Sequence, residues 1–347
     1  MNNIRLFHIS HTDLDGYACQ FLTNEVFSKK HFYNANYGLE VKQAIKQVIT
    51  EIKNYQDEKL LLLISDLNLN QQESDELDKD IKSLKDGGFD ITLQLLDHHI
   101  TGKSSAAKYD WYFLDDKRCA TKIVFDYLLK EFKAPLNDYK EWVDTVNAVD
   151  IWLENEKENF EFGKVLMSMV TKAREINSIL FNSLDRDFKF YLLKNSIGFL
   201  SLENAPIVLD NSVHSLKKEF LKDGFDDTLD NLSASYLVKS LDKIKDDLTV
   251  YYNGQKGLMT YCLGAISIPA NSFLRANSDY DFFIDVGRKG NASFRADGKL
   301  DVSQLASKLG NGGGHVNASG CKFDDFIDTI NLQEVRAYIQ NKLNNLK

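Results

Sequence analysis

The chain is 347 residues long, 43% hydrophobic and 27% charged, with a formal net charge of −9. That length and composition set a globular protein of two domains as the default. The acidic balance excludes a basic grip on long duplex DNA, yet it admits a short anionic substrate, because bound divalent cations reverse the sign of an acidic pocket locally.

In chain order, "IRLFHIS" (4–10) reads as a strand and "YACQFLTNEVFSKK" after Gly16 as a helix. "VKQAIKQVITEIKN" (41–54) is a second amphipathic helix, and "KLLLLISDLNL" a strand apolar enough to be buried on both faces. "QQESDELDKDIKSLKDGG" is a polar helix ending at Gly87, "FDITLQLLDHH" the next buried strand and "ATKIVFDYLLKEF" the next helix. This alternation predicts an α/β fold: an N-terminal, mainly parallel sheet with helices on both faces over 1–165. A helical connector is expected over 166–225. A smaller C-terminal α/β domain with a mixed sheet is expected over 226–347, built on "DLTVYYNG", "GLMTYCLGAIS", "YDFFIDVGRKGNASFRADG" and "DVSQLASKLGNGGGHVNASG". Cys19, Cys119, Cys262 and Cys321 form no C-x-x-C pair, so neither a disulfide framework nor a zinc ribbon is expected. The run "KLLLLIS" is too short to span a bilayer, and with no charged-apolar-small leader at the start the expected location is cytoplasmic.

The strong strands end in "SHTDLDG", "ISDLN" and "LLDHH", so acids and histidines collect at strand C-termini, the edge where open α/β sheets bind ligands. On an extended backbone His11, Asp13 and Asp15 would point to one side, and such a group repels itself unless a cation sits within it. An EF-hand is excluded, because His11 is no oxygen ligand and Leu22 stands where a bidentate Glu is needed. Adjacent His98 and His99 on a strand would point to opposite sides, so at most one of them is expected to share the metal with the first motif, the other contacting substrate or standing as a surface histidine. Mixed carboxylate and imidazole ligands favour manganese, magnesium or iron(II). In "GNGGGHVNASG" the glycines permit backbone N–H groups to converge on an anion, with His315 and Arg295 as added donors. Its spacing does not fit a dinucleotide fingerprint, since His315 stands where the last glycine should be, and "GKS" at 102–104 is no Walker loop, since Asp97 stands where its first glycine should be.

The order "HTDLDG", "SDLN", "LDHH", "VDTVNAVDIW" and "GGGHVNASG" resembles the DHH phosphoesterase superfamily with its DHH-associated C-terminal domain. Within it the chain is most similar to the nanoRNase or oligoribonuclease group, relatives of the RecJ-type exonucleases. Residues 155–225 contribute nothing to the match. The resemblance implies two Mn2+ ions, with Mg2+ or another divalent metal as substitutes, in the N-terminal domain and substrate recognition in the C-terminal one. It puts Asp13, Asp15, Asp66, His98 and Asp150 on metal-ligand positions, His99 on a histidine that contacts substrate, and Asp97 on an orienting carboxylate behind it. Asp144 competes with Asp150 for its place. Many relatives carry a histidine four residues before the first Asp, where this chain has Ile9. His11 instead falls on the first acid of the RecJ-type D-x-D-x-D-G pattern and joins the candidate ligands.

The implied reaction is release of nucleoside 5′-monophosphates from short RNA by in-line attack of hydroxide, with Asp66 shared between the ions. His99 and Arg295 would stabilise charge, and Gly312, Gly313, Gly314, His315 and Arg295 would hold substrate. The alternatives are hydrolysis of cyclic or linear dinucleotides or of 3′-phosphoadenosine 5′-phosphate, and a non-catalytic nucleotide sensor. The expected partners are short RNA oligonucleotides or dinucleotides, with no membrane and no long duplex DNA. A homodimer is a candidate assembly.

Overall fold

The computed structural model describes residues 3–329 and 331–346. From the N-terminus the chain forms β1 (Ile4–Ser10), α1 (Leu14–Val26), β2 (Lys29–Asn34), α2 (Leu39–Ile52), β3 (Lys59–Ser65), α3 (Gln71–Asp86) and β4 (Asp90–Asp97). A single 3-10 turn over Ile100–Gly102 leads into α4 (Lys103–Ala106), β5 (Tyr112–Leu114), α5 (Ala120–Phe132) and α6 (Lys140–Asp150). Three further helices follow: α7 (Lys157–Thr171), α8 (Asn182–Ser196) and α9 (Ala205–Leu221). The remainder is α10 (Leu229–Asp242), α11 (Lys245–Leu248), β6 (Thr249–Tyr252), β7 (Gln255–Tyr261), α12 (Ser267–Ala276), β8 (Phe282–Val286), β9 (Asn291–Ala296), α13 (Val302–Leu309), β10 (Gly313–His315), β11 (Ala318–Lys322) and α14 (Leu332–Asn344).

Two compact units result, one of residues 1–173 and 186–213, the other of 174–185 and 214–347. The helical stretch is divided between them, since α8 and α9 each contribute residues to both. The first unit is a five-stranded sheet of order β2-β1-β3-β4-β5 in which every pairing is parallel. Alternate residues of its strands serve opposite faces. Phe7, Ile9, Leu62 and Ile64 join Val41 and Val48 of α2 and Leu77 and Ile81 of α3 in one core, while α1 and α5 pack together and against β1 and β4. The strand order reverses between β1 and β3, so the crevice outside their C-terminal ends is the expected ligand position of a doubly wound sheet. The second unit is a six-stranded mixed sheet, β10-β11-β9-β8-β7-β6, parallel only at β7–β8.

In the first sheet two strands have no counterpart in the sequence pattern, and in the second the glycine run expected as a loop contains the edge strand β10. The first helix stops at Val26, and "KKHFYN" is the edge strand β2, half-buried and lacking the apolar run of β3. The three residues of β5 are too few to register as a period. No helix among the described residues is long and apolar enough to cross a membrane.

Candidate metal centre

The first motif leaves the extended conformation sooner than its alternation suggests. Strand β1 stops at Ser10, Asp13 is the N-cap of α1 with Oδ1 accepting the Gly16 N–H at 3.0 Å, and Asp15 lies in the first helical turn. A row of three side chains on one side of a strand is therefore not what forms. The turn gathers the groups in another way, and only glycine permits it, because a Cβ on residue 16 would lie 2.3 Å from the His11 carbonyl oxygen. His11 Nδ1 comes 2.8 Å from Asp13 Oδ2 and 3.7 Å from Asp66 Oδ2.

Asp15 is buried and reaches across to the start of α5, accepting the Ala120 N–H on Oδ2 at 2.7 Å and the Thr121 N–H on Oδ1 at 2.8 Å. Those amides are orphan donors of a helix N-terminus, where an anion is favoured. Each carboxylate oxygen keeps a second lone pair for another partner. Asp66 follows β3 directly, 1% exposed, with a left-handed φ of 56° and its N–H on the Leu96 carbonyl at 3.1 Å.

The expectation that His98 and His99 part to opposite sides is overturned. The strand ends at Asp97 and the chain turns, so the two rings lie 4.3 Å apart and both come within ligand reach of Asp66. His98 Nε2 lies 3.3 Å from Asp66 Oδ1, 3.6 Å from Asp150 Oδ2 and 3.8 Å from Asp15 Oδ2. Asp97 holds its neighbour from behind: Oδ1 accepts from His99 Nδ1 at 2.7 Å and Oδ2 accepts the Tyr112 hydroxyl at 2.9 Å. Asp150, the last residue of α6, lies in this cluster, whereas Asp144 is taken up by Lys122 at 2.8 Å and Lys140 at 2.7 Å.

Electrostatics show what the cluster lacks. Burial and the charges of Asp15, Asp13 and Asp150 push the Asp66 carboxyl well above the usual carboxylate range. Burial and the Asp15 and Asp13 charges push Asp150 up to about 9. Burial holds His98 below its ordinary value against the pull of Asp15, which keeps the imidazole neutral with a free lone pair. For His99 burial acts in the same direction, but the Asp97 hydrogen bond and charge outweigh it and the ring is raised. Both His11 Nδ1 and Asp66 Oδ2 are buried with no aligned hydrogen-bond partner. Buried polar atoms are ordinarily satisfied, so an unbonded Asp66 Oδ2 facing His11 Nδ1, whose 2.8 Å approach to Asp13 is not aligned as a hydrogen bond, fits a divalent cation among these carboxylates. Three groups with ligand atoms in mutual reach, joined through Asp66, Asp15 and Asp150, could hold it: His11–Asp13–Asp66, Asp66–His98–His99 and Asp15–Cys119–Asp150.

Several participants escaped sequence reading. Cys119, at the N-cap of α5, has its thiol pushed well up by burial and by Asp15 and Asp150. Tyr37 sets its hydroxyl 3.1 Å from His99 Nε2 and its ring 5.2 Å from that of His11, linking the first and third motifs. Beneath the cluster His8 bridges Thr23 Oγ1 and Ser65 Oγ, each at 2.8 Å, and burial lowers it to about 3.

The second unit contains the other expected residues. In the β-ladder His315 pairs with Ala318 and Ala318 with Arg295, so His315 and Arg295 stand on one face of the sheet, about 10 Å apart across two strand spacings. Arg295 donates from Nη2 to Ser267 Oγ at 2.9 Å and from Nη1 to the Phe294 carbonyl at 2.8 Å, and His315 is exposed on the edge strand. The glycine run has a packing reason at two positions: a Cβ on Gly312 would meet Cys321 Cβ at 2.5 Å, and one on Gly314 would meet the Ala318 carbonyl oxygen at 2.6 Å. Gly313 faces open space. Asp285 was not foreseen. It accepts the Leu263 N–H at 2.9 Å and the Gly264 N–H at 3.0 Å, and so fixes the turn that delivers Ser267 to Arg295.

Comparison with known proteins accords with this arrangement. Residues 265–345 match the DHHA1 domain. A Helicobacter pylori (strain ATCC 700392 / 26695) protein named 3′,5′-cyclic-nucleotide phosphodiesterase is 42% identical over 347 residues, 99% of each chain. The chain belongs to the DHH phosphoesterase superfamily. Among its DHH relatives, the oligoribonuclease NrnB of Bacillus subtilis (strain 168) is 25% identical over 95% of this chain and 76% of its own length. A crystal structure of an uncharacterized protein from Helicobacter pylori G27 superimposes with a TM-score of 0.91 at 42% identity, covering 99% of both chains. This DHH protein thus shares its full-length fold with a solved relative, and its sequence places it near the nanoRNase group.

Proposed function

We propose that the protein is a metal-dependent phosphodiesterase that cuts the P–O3′ bond of small 3′,5′-linked nucleotides and leaves nucleoside 5′-monophosphates. The observation that carries this reading is the buried Asp66 Oδ2, which has no aligned hydrogen-bond partner and lies 3.7 Å from His11 Nδ1, inside a cluster where crowding pushes the Asp66 and Asp150 carboxyls up. His11, Asp13, Asp15, Asp66, His98 and Asp150 would hold two divalent ions, Mn2+ being the best match to mixed oxygen and nitrogen ligands. When bound, such ions offset phosphate charge and acidify an attacking water.

The rest falls to the chain. Asp15, anchored by two α5 amides, and Asp66, fixed by its strand end, present oxygens from rigid elements. His98 supplies a neutral nitrogen. His99, its pKa raised by the Asp97 hydrogen bond and its ring set beside the Tyr37 hydroxyl, is a donor suited to a phosphate oxygen, and Asp97 orients it without touching the reacting atoms. Arg295 and His315, one row of the second sheet, are the recognition groups for phosphate or nucleoside, supported by the exposed backbone of Gly313 and Gly314.

Short oligoribonucleotides are the substrate suggested by the likeness to an oligoribonuclease; the full-length relative at 42% identity favours 3′,5′-cyclic nucleotides. Both yield the same products through the same bond. Competition separates them: with Mn2+ present, kcat/KM is measured for cyclic AMP, for diadenylate and pentaadenylate RNA, and for 3′-phosphoadenosine 5′-phosphate. Turnover of the first or second class to 5′-AMP supports the reading, and turnover of none of them removes it.

A further inference from the structure

The C-terminal end of α6 departs from its expected chemistry two residues beyond Asp150. The Ile151 N–H bonds to the Asn147 carbonyl at 3.2 Å and the Leu153 N–H returns to the Ala148 carbonyl at 2.7 Å, a Schellman-type closure. Its left-handed position is normally glycine, yet here it is Trp152, with φ of 59°. A bulky side chain in that conformation is an outlier, and such strain persists where something else selects the residue. Burial is not that reason, because Trp152 is 59% exposed.

The indole is nevertheless fixed. Its Nε1–H donates to Glu154 Oε1 at 2.7 Å, and Phe160 meets it edge-on at 5.0 Å with an interplanar angle of 83°. The backbone at Trp152 lies within about 7 Å of that of Asp150, the reach of two residues, and Asp150 Oδ2 is 3.6 Å from His98 Nε2. A rigid, exposed aromatic surface rooted beside the candidate metal cluster is what a nucleobase stacks on.

Resting on the phosphodiesterase reading above, we infer that Trp152 is a binding residue: its indole is the platform for the base of the nucleoside next to the scissile phosphate. Stacking tolerates any base but favours the larger purine surface. AMP should therefore bind several-fold more tightly than UMP.

The test uses the full-length chain with Mn2+ and three probes: AMP, UMP and ribose 5-phosphate. Trp142 is fully buried and Trp111 is stacked with Tyr109 at 4.8 Å, so AMP should quench the emission of Trp152. Trp152→Phe should abolish the quench while calorimetric AMP affinity stays within about threefold of wild type. Trp152→Gly, which relieves the left-handed backbone and keeps the closure, should bind AMP about tenfold more weakly and lose the AMP-over-UMP preference. Ribose 5-phosphate, having no base, should bind wild type and Trp152→Gly alike. Unchanged AMP affinity in Trp152→Gly overturns the inference. An equal loss for AMP and ribose 5-phosphate does so too, by showing that Trp152 acts through the fold around Asp150. If wild type binds neither AMP nor ribose 5-phosphate, the phosphodiesterase reading fails and this inference falls with it.

Discussion

Replacing Asp66 by Asn separates the metal account from a purely structural one, because the two predict opposite signs. Asp66 sits at φ of 56°, a conformation Asn tolerates but in which Ala would add about 1–2 kcal/mol of strain, so Asn isolates the charge. In metal-free protein the carboxyl is crowded by Asp15, Asp13 and Asp150, and removing it should leave the melting temperature unchanged or raise it. With metal the reasoning reverses. A cation at a hundred times its Kd stabilises the native state by about 2.7 kcal/mol, which at about 2–4 °C per kcal/mol for a unit of this size is a rise of roughly 5–10 °C. Wild-type protein stripped with a chelator should show that rise on titration with Mn2+, and Asp66→Asn should lose most of it. Differential scanning calorimetry reads both signs in one experiment. A variant that melts several degrees lower without metal, or that keeps the full Mn2+ shift, would refute the placement of Asp66 at the cation.

His11→Ala should raise the half-saturating Mn2+ concentration by tenfold or more in the same titration, since its Nδ1 has no other aligned partner; an unchanged titration would move His11 out of the ligand set. Gly16→Ala should abolish both the Mn2+ shift and turnover, because the new Cβ would overlap the His11 carbonyl; a folded variant with normal metal affinity would contradict the turn geometry. His315→Ala should raise KM on a dinucleotide more than it lowers kcat, the pattern of lost uniform binding, and a defect confined to kcat would place His315 in the chemistry. His8 stays neutral in the native state down to about 3 while an unfolded histidine protonates below 6.5, so acidification through that window removes native stability at up to about 1.4 kcal/mol per pH unit. In Mn2+-loaded protein denaturant unfolding of His8→Gln at two pH values inside the window should show a shallower loss than wild type, and identical slopes would contradict a neutral His8.

The sheet edge that bears the site was legible because its signal is redundant. Apolar runs mark β1, β3 and β4 as buried strands, each ends in titratable residues, and a parallel sheet brings those ends together. The finer geometry depends on turns, and turns depend on tertiary contacts that periodicity does not encode. Alternation put His98 and His99 on opposite sides, but the strand ends one residue earlier and the Asp97 hydrogen bond draws His99 back. Asp15 reads as one more ligand, yet its hold on the α5 amides joins residues more than a hundred positions apart. The edge strand β2 carries Lys, His and Asn at positions a central strand would fill with aliphatic residues, and nothing local distinguishes it from the end of α1. Trp152 stands in the "VDIW" motif, but its left-handed backbone follows only from the closure of α6.

The central claim is hydrolysis of a phosphodiester at a divalent-metal cluster with the phosphate left on the 5′ side. The direct measurement is product analysis by liquid chromatography on chelator-treated protein given cyclic AMP or diadenylate RNA, with and without added Mn2+. The account predicts 5′-AMP from at least one substrate, dependent on added Mn2+ and lost in Asp66→Asn. Turnover that persists without metal, or a 3′-monophosphate as product, would contradict it.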